Sequence, residues 1–118
     1  MSAHRVLVIE DEVLISLMVQ GMLRELGYEV TGAAYHANEA LALIESARFD
    51  AATVNIDLDG KPCADVVAAL SQRGIPFIVV SGFFDQDLPE YVRGRPALNK
   101  PFTVDDLRSA LITLLLRA

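Results

Sequence analysis

Cysteine occurs once in the 118 residues, at Cys63, which excludes an internal disulfide and fits a reducing cytosol. No histidine motif accompanies the thiol, so Cys63 reads as a small packing residue and not as a nucleophile. Cationic side chains are also scarce. Ten Lys and Arg stand against sixteen Asp and Glu, and the net charge of −6 argues against nonspecific binding to nucleic acid or anionic lipid. The opening "MSAHRVLVIED" meets an acidic pair too early to be a signal peptide or a membrane span. Repeats, low-complexity tracts and linkers are absent as well. What is there is 53% hydrophobic, enough to bury one core without staples. The expectation is a single cytoplasmic domain over residues 1–118, with no second domain.

Short β-rich runs alternate with helical patterns. "RVLVIE" is a near-continuous apolar run, as expected of a strand covered on both faces. "EVLISLMVQGMLREL" has helical length, with Gly27 where a C-terminal cap belongs. "YEVTGAA", "AATVNI", "PFIVVS" and the weaker "PALN" supply further strands. "NEALALIESA", "ADVVAALSQR" (closed by Gly74) and "TVDDLRSALITLLLRA" supply further helices. Thr103 and Asp106 have the spacing of a capping box with an acidic first turn. Between Ser81 and Lys100, "GFFDQDLPEYVRGRPALN" is broken by Pro89, Gly94 and Pro96, so a helix there is expected to be short or irregular. Such alternation predicts βαβ units and an open parallel α/β sandwich, and ligands of such sheets bind beyond the carboxyl ends of the strands.

The polar residues at those ends therefore carry the function. They are Glu10 and Asp11, Asn55 and Asp57, Ser81, and Asn99 with Lys100. Two adjacent acids suit a hard cation such as Mg²⁺. A hydroxyl and an ammonium suit phosphoryl oxygens.

From "VLVIEDE" through "FDAATVNIDLDG" and "FIVVSG" to "LNKPF", the chain resembles the receiver domain of bacterial two-component response regulators. The resemblance implies a flavodoxin-like three-layer sandwich, with a five-stranded parallel sheet in the order 2-1-3-4-5. It also implies a module, not an enzyme, that accepts a phosphoryl group from a histidine kinase or phosphotransfer protein. Glu10 and Asp11 match the pair that holds Mg²⁺. Ser81 matches the switch hydroxyl and Lys100 the phosphoryl-contacting lysine. Pro101 follows in a cis bond, and Asp57 offers its backbone carbonyl to the metal.

The acceptor aspartate falls at Asn55, so the position is also metal-facing but carries an amide. An amide oxygen is neutral and its nitrogen lone pair delocalised, so no acyl phosphate forms there. Weakened Mg²⁺ binding is expected. Either Asn55 is a substitution that traps a phosphorylatable site in its unphosphorylated state, or the chain is a pseudo-receiver that signals by contact alone. Ala97 stands where many receivers carry a switching aromatic. Phe77 with Ser81-Gly82-Phe83 is similar in part to single-domain alphaproteobacterial receivers, whose switch motif is Phe-Ala-Thr-Gly followed by an aromatic.

Other features read more plainly. His4 and His36 lie in no ligand spacing and are expected at the surface. Asp105 and Asp106 answer the helix dipole. The first helix carries a narrow polar stripe at Ser16, Gln20, Arg24 and Glu25 and more apolar surface than one sheet face needs, an excess that could face a partner. The last helix shows a similar excess at Ile112 and Leu116, beyond core positions Leu107, Leu111, Leu114 and Leu115, and raises the prospect of a homodimer. The rival reading takes "NIDLDG" as the Asp-x-Asp motif of haloacid-dehalogenase-like phosphatases, with Asp57 as nucleophile and Asp59 as acid. It fails because that motif normally ends the first strand, with an acidic metal motif following the lysine.

Overall fold

Alternation with period two is what places the interior strand β1 (Arg5–Ile9) between two cores. Leu7 and Ile9 enter one apolar cluster, Val6 and Val8 the other, all at 0–1% exposure. The same division runs through β3 (Ala51–Asn55), where Ala52 and Val54 face one side and Ala51 the other. The computed structural model describes residues 4–58, 61–82 and 88–117.

β1 is followed by α1 (Val13–Glu25), β2 (Glu29–Ala34), α2 (Ala37–Ser46) and β3. Two short strands, β4 (Asp57–Leu58) and β5 (Lys61–Pro62), form an antiparallel ribbon before α3 (Ala64–Gln72). β6 (Phe77–Ser81), a 3-10 turn at Glu90–Val92, β7 (Ala97–Asn99) and α4 (Val104–Arg117) complete the fold. The five-stranded sheet has the order β2-β1-β3-β6-β7 with every pair parallel. Once the ribbon is set aside, this is the expected 2-1-3-4-5 of the flavodoxin-like class. α2 and α3 cover the Leu7 side, while α1 and α4 cover the Val6 side.

Helix ends follow local chemistry. Gly27 (φ 92°) and Gly74 (φ 67°) close α1 and α3 in the left-handed conformation that side chains resist. At each, paired bonds complete a Schellman motif: Gly27 N–H to Arg24 C=O with Tyr28 N–H to Leu23 C=O, and Gly74 N–H to Ser71 C=O with Ile75 N–H to Leu70 C=O. At α4 the capping box is reciprocal, Thr103 N–H to Asp106 Oδ2 at 2.9 Å and Asp106 N–H to Thr103 Oγ1 at 3.1 Å. Asp105 pairs with Arg108 at 2.8 Å in the same turn.

Two expectations need correction. The polar stripe of α1 does not face water throughout: Ser16 is fully buried and Gln20 is 8% exposed. They tolerate burial because Gln20 Nε2 donates to Ser16 Oγ at 3.0 Å, each satisfying the other. With Val19 and Leu23 they form the i, i+3, i+4, i+7 face that meets the sheet. The apolar excess is consequently turned outward at Val13, Leu14, Leu17 and Met18. The β4–β5 ribbon adds an element to the expected alternation, because two-residue strands leave no periodic signal in the sequence. The irregular stretch before β7 is confirmed among the described residues, where only the 3-10 turn appears.

Candidate functional site

Parallel strands end at one edge, and here register brings the endings together. β3 ends at Asn55, beside Val80 of β6, and Ser81 ends β6 beside Asn99 of β7. β1 lies on the other flank of β3 and leads directly into Glu10 and Asp11. The Lys100 N–H bonds to the Ser81 carbonyl at 2.8 Å, which fixes where the lysine leaves the sheet. The Lys100–Pro101 bond is cis. Glu10, Asn55 and Ser81 are buried, Asp11 and Lys100 half-buried.

The Asn55 amide makes the central contacts. Its Nδ2 donates to Asp11 Oδ1 at 2.9 Å and to the Asp57 carbonyl at 2.5 Å. Both partners are acceptors, so the orientation of the amide is dictated by its neighbours. The Asp57 side chain is exposed. Its carbonyl turns back toward Asn55 because the chain folds into the β4–β5 ribbon, held by Cys63 N–H to Ile56 C=O at 3.1 Å.

A second pair lies alongside. Lys100 Nζ meets Glu10 Oε1 at 2.9 Å, and the Glu12 N–H donates to Glu10 Oε2 at 3.2 Å. Burial pushes the Glu10 carboxyl above its ordinary value; the Lys100 ammonium and the Glu12 N–H oppose the shift without cancelling it. Every acceptor atom named here is thus already engaged by a donor of the protein itself.

Of the residues singled out from sequence, Glu10, Asp11, Asn55, Asp57, Ser81, Lys100 and Pro101 all lie at this edge. Asp59 and Phe83 lie outside the described residues. Asp57 sits after the third sheet strand, exposed at the start of the ribbon, which gives the phosphatase reading no support. Among the described residues, no three His, Cys, Asp or Glu side chains gather into a cation-holding group. His4 and His36 are exposed, as expected.

Sequence reasoning read Cys63 as a packing residue, which its burial bears out, but missed the Tyr91 hydroxyl beside it. Cys63 is fully buried, and burial pushes its thiol up to about 11. The neighbouring Tyr91 hydroxyl is raised to about 12, again mainly by burial, and has no hydrogen-bond partner among the described residues. Twenty-eight positions separate the two in sequence, and no motif links them.

Comparison with known proteins agrees with this geometry. A family model of the response regulator receiver domain matches residues 6–112. The transcriptional regulatory protein PdtaR of Mycobacterium tuberculosis is 35% identical over 112 residues, covering 92% of this chain and 55% of that protein, so the chain spans about half the length of this relative. The solution structure of SdrG from Sphingomonas melonis Fr1 superposes with a TM-score of 0.86 at 35% identity, covering 98% of each chain. The response regulator PhyR from Brucella abortus gives 0.85 at 34% identity, over 98% of this chain and 49% of that one. No helix among the described residues is long and apolar enough to cross a membrane. With its sheet order, its polar strand endings and a family match over most of its length, the chain belongs to the response regulator receiver domains of two-component signalling.

Proposed function

We propose that this receiver is held in the unphosphorylated form and signals by protein contact. The observation that carries the reading is the Asn55 amide, which stands at the acceptor position and donates to Asp11 Oδ1 and the Asp57 carbonyl. An amide supplies no carboxylate to attack a phosphohistidine, and here its N–H groups are spent on two oxygens that a metal ion would otherwise use. Ser81 and Lys100 remain as the switch hydroxyl and phosphoryl-contacting lysine of a site without an acceptor.

Magnesium fits this donor set poorly. Glu10, Asp11 and the Asp57 carbonyl are oxygen donors of the right kind. Asn55 occupies two of those acceptors with hydrogen bonds, and Lys100 neutralises Glu10. A divalent ion has to displace these contacts, so binding is weak. When bound it would supply positive charge for a phosphoryl group, which this chain has no acceptor to receive.

Output then goes through surfaces. Val13, Leu14, Leu17 and Met18 of α1 are 46–82% exposed. They adjoin an apolar groove of about 360 Å³ lined by Ile15, Met18, Lys100, Pro101 and Phe102. This face is suited to the helices of a histidine kinase or phosphotransfer protein, in the cytoplasm. Regulation without catalysis matches the kind of protein to which the chain is similar.

Intact mass after incubation with acetyl phosphate and Mg²⁺ tests the reading. The expected result is no phosphoryl gain on this chain and a gain on Asn55→Asp. A gain on the unmodified chain, mapped to Asp57, overturns it.

A further inference from the structure

We infer that the amino-terminal edge of the sheet, opposite the receiver site, carries a binding site for a phosphate-bearing small molecule of nucleotide size. A cavity of about 720 Å³ opens there, lined among others by Arg5, Arg48, Arg73, Asp50, Phe49 and Ile75. Arg5 begins β1, Asp50 immediately precedes β3 and Ile75 leads into β6, so the cavity lies at the strand beginnings, as Asn55 and Ser81 lie at the strand ends.

Charge is the first argument. The chain has ten cationic residues against sixteen acids, yet three arginines converge on one concavity. The guanidinium groups of Arg48 and Arg73 have no hydrogen bond or ion pair among the described residues. Arg5 approaches Glu29 only at 3.6 Å, with both side chains at least half exposed, a pair of little strength. The lining carboxylate, Asp50, already accepts from the Arg5 N–H at 2.7 Å. Among the described residues, no contact requires Arg48 and Arg73 to be cationic.

Shape is the second. The volume lies within the range of about 300–1,000 Å³ usual for small-molecule sites. Phe49 and Ile75 are half-buried and give an apolar floor beside the cations. A second concavity of about 360 Å³ shares Ile75 and adds Arg95. That guanidinium is already fixed, 4.8 Å above the Phe77 ring and 3.3 Å from Ser71 Oγ. Several planar guanidinium forks lining one concavity suit the several oxygens of a diphosphate better than a single carboxylate. The acidic remainder of the surface disfavours a nucleic-acid strand, which leaves a compact phosphorylated molecule.

The test is a titration of the full ¹⁵N-labelled chain with ADP and, separately, with inorganic pyrophosphate. A parallel titration uses the Arg48→Glu, Arg73→Glu double variant. Both side chains are exposed and make no pair among the described residues, so the variant is expected to fold, checked by its unchanged far-UV circular dichroism. The expected result is amide shifts at Arg48, Phe49, Arg73 and Ile75, tighter for ADP than for pyrophosphate. In the variant, affinity drops by at least about tenfold, the scale of one lost charge-assisted contact. Absence of shifts at millimolar ligand overturns the inference, as do shifts confined to Ser81 and Lys100 or equal affinity in the variant. Equal binding of pyrophosphate and ADP overturns the nucleotide size. None of these outcomes depends on whether Asn55 accepts phosphate.

Discussion

Asn55 shows how one atom pair changes what a site needs. With an amide at this position, two acceptors, Asp11 Oδ1 and the Asp57 carbonyl, are bridged by N–H groups. A carboxylate at the same place brings a third acceptor against them, and the cluster then requires a cation. Asn55→Asp therefore loses two hydrogen bonds, each worth about 1 kcal/mol. For a domain of this length, about 2 kcal/mol lowers the melting temperature by roughly 8 °C. Thermal melts in EDTA are expected to show that loss, and millimolar Mg²⁺ is expected to recover most of it while leaving the Asn55 protein nearly unmoved. An Asn55→Asp variant as stable as its parent in EDTA would refute the bridging role.

Cys63 gives a second residue-level expectation, with a defined sign. Its thiol ionises near 9.0 when solvated and near 11 in the fold. Between those values the unfolded chain has released the proton and the native chain has not, so stability falls as pH rises through that window. Tyr91, raised from 10.0 to about 12, extends the fall upward. Urea unfolding at pH 8 and at pH 10.5 is expected to show the decline, and Cys63→Ala should flatten its lower part. An unchanged slope in that variant would assign the loss elsewhere.

At the scale of elements, most of the architecture was legible because the signals are local. Runs such as "RVLVIE" and "PFIVVS" require cover on both faces, Gly27 and Gly74 stop helices, and Thr103 with Asp106 starts one. The site edge followed from the same logic, since parallel strands collect their endings. The facing of α1 was not legible: hydropathy assigns Ser16 and Gln20 to water, but the two satisfy each other inside. That inversion is what leaves Leu14 at 82% and Leu17 at 53% exposure. Leu14→Glu with Leu17→Glu is therefore expected to change stability by no more than about 0.5 kcal/mol per site, as for surface positions. A loss of several kcal/mol in urea unfolding would mean that these leucines belong to the core and not to a docking face.

Across the whole molecule, the two ends of the sheet differ in what sequence could reveal. The Asn55 end is encoded in short contiguous strings, each ending a strand. The arginine-lined end is assembled from positions 5, 48 and 73, which become neighbours only after the βαβ crossovers are made. Scattered arginines in an acidic chain carry no motif, so only the fold exposes their convergence.

Self-association is decided at this scale too. Ile112 and Leu116 of α4 are 48% and 81% exposed, as expected from sequence. Two side chains supply far less than the roughly 800 Å² per partner that stable interfaces bury. Two copies of a chain with net charge −6 also repel one another. The chain is accordingly expected to scatter light as a monomer at about 100 μM in moderate salt, conditions that still screen much of that repulsion. A dimer there, lost on Ile112→Lys but kept on Leu14→Glu, would place a self-interaction surface on α4. A dimer lost only on Leu14→Glu would instead give the α1 face to a second copy of the chain, at the expense of the kinase-docking role proposed for it.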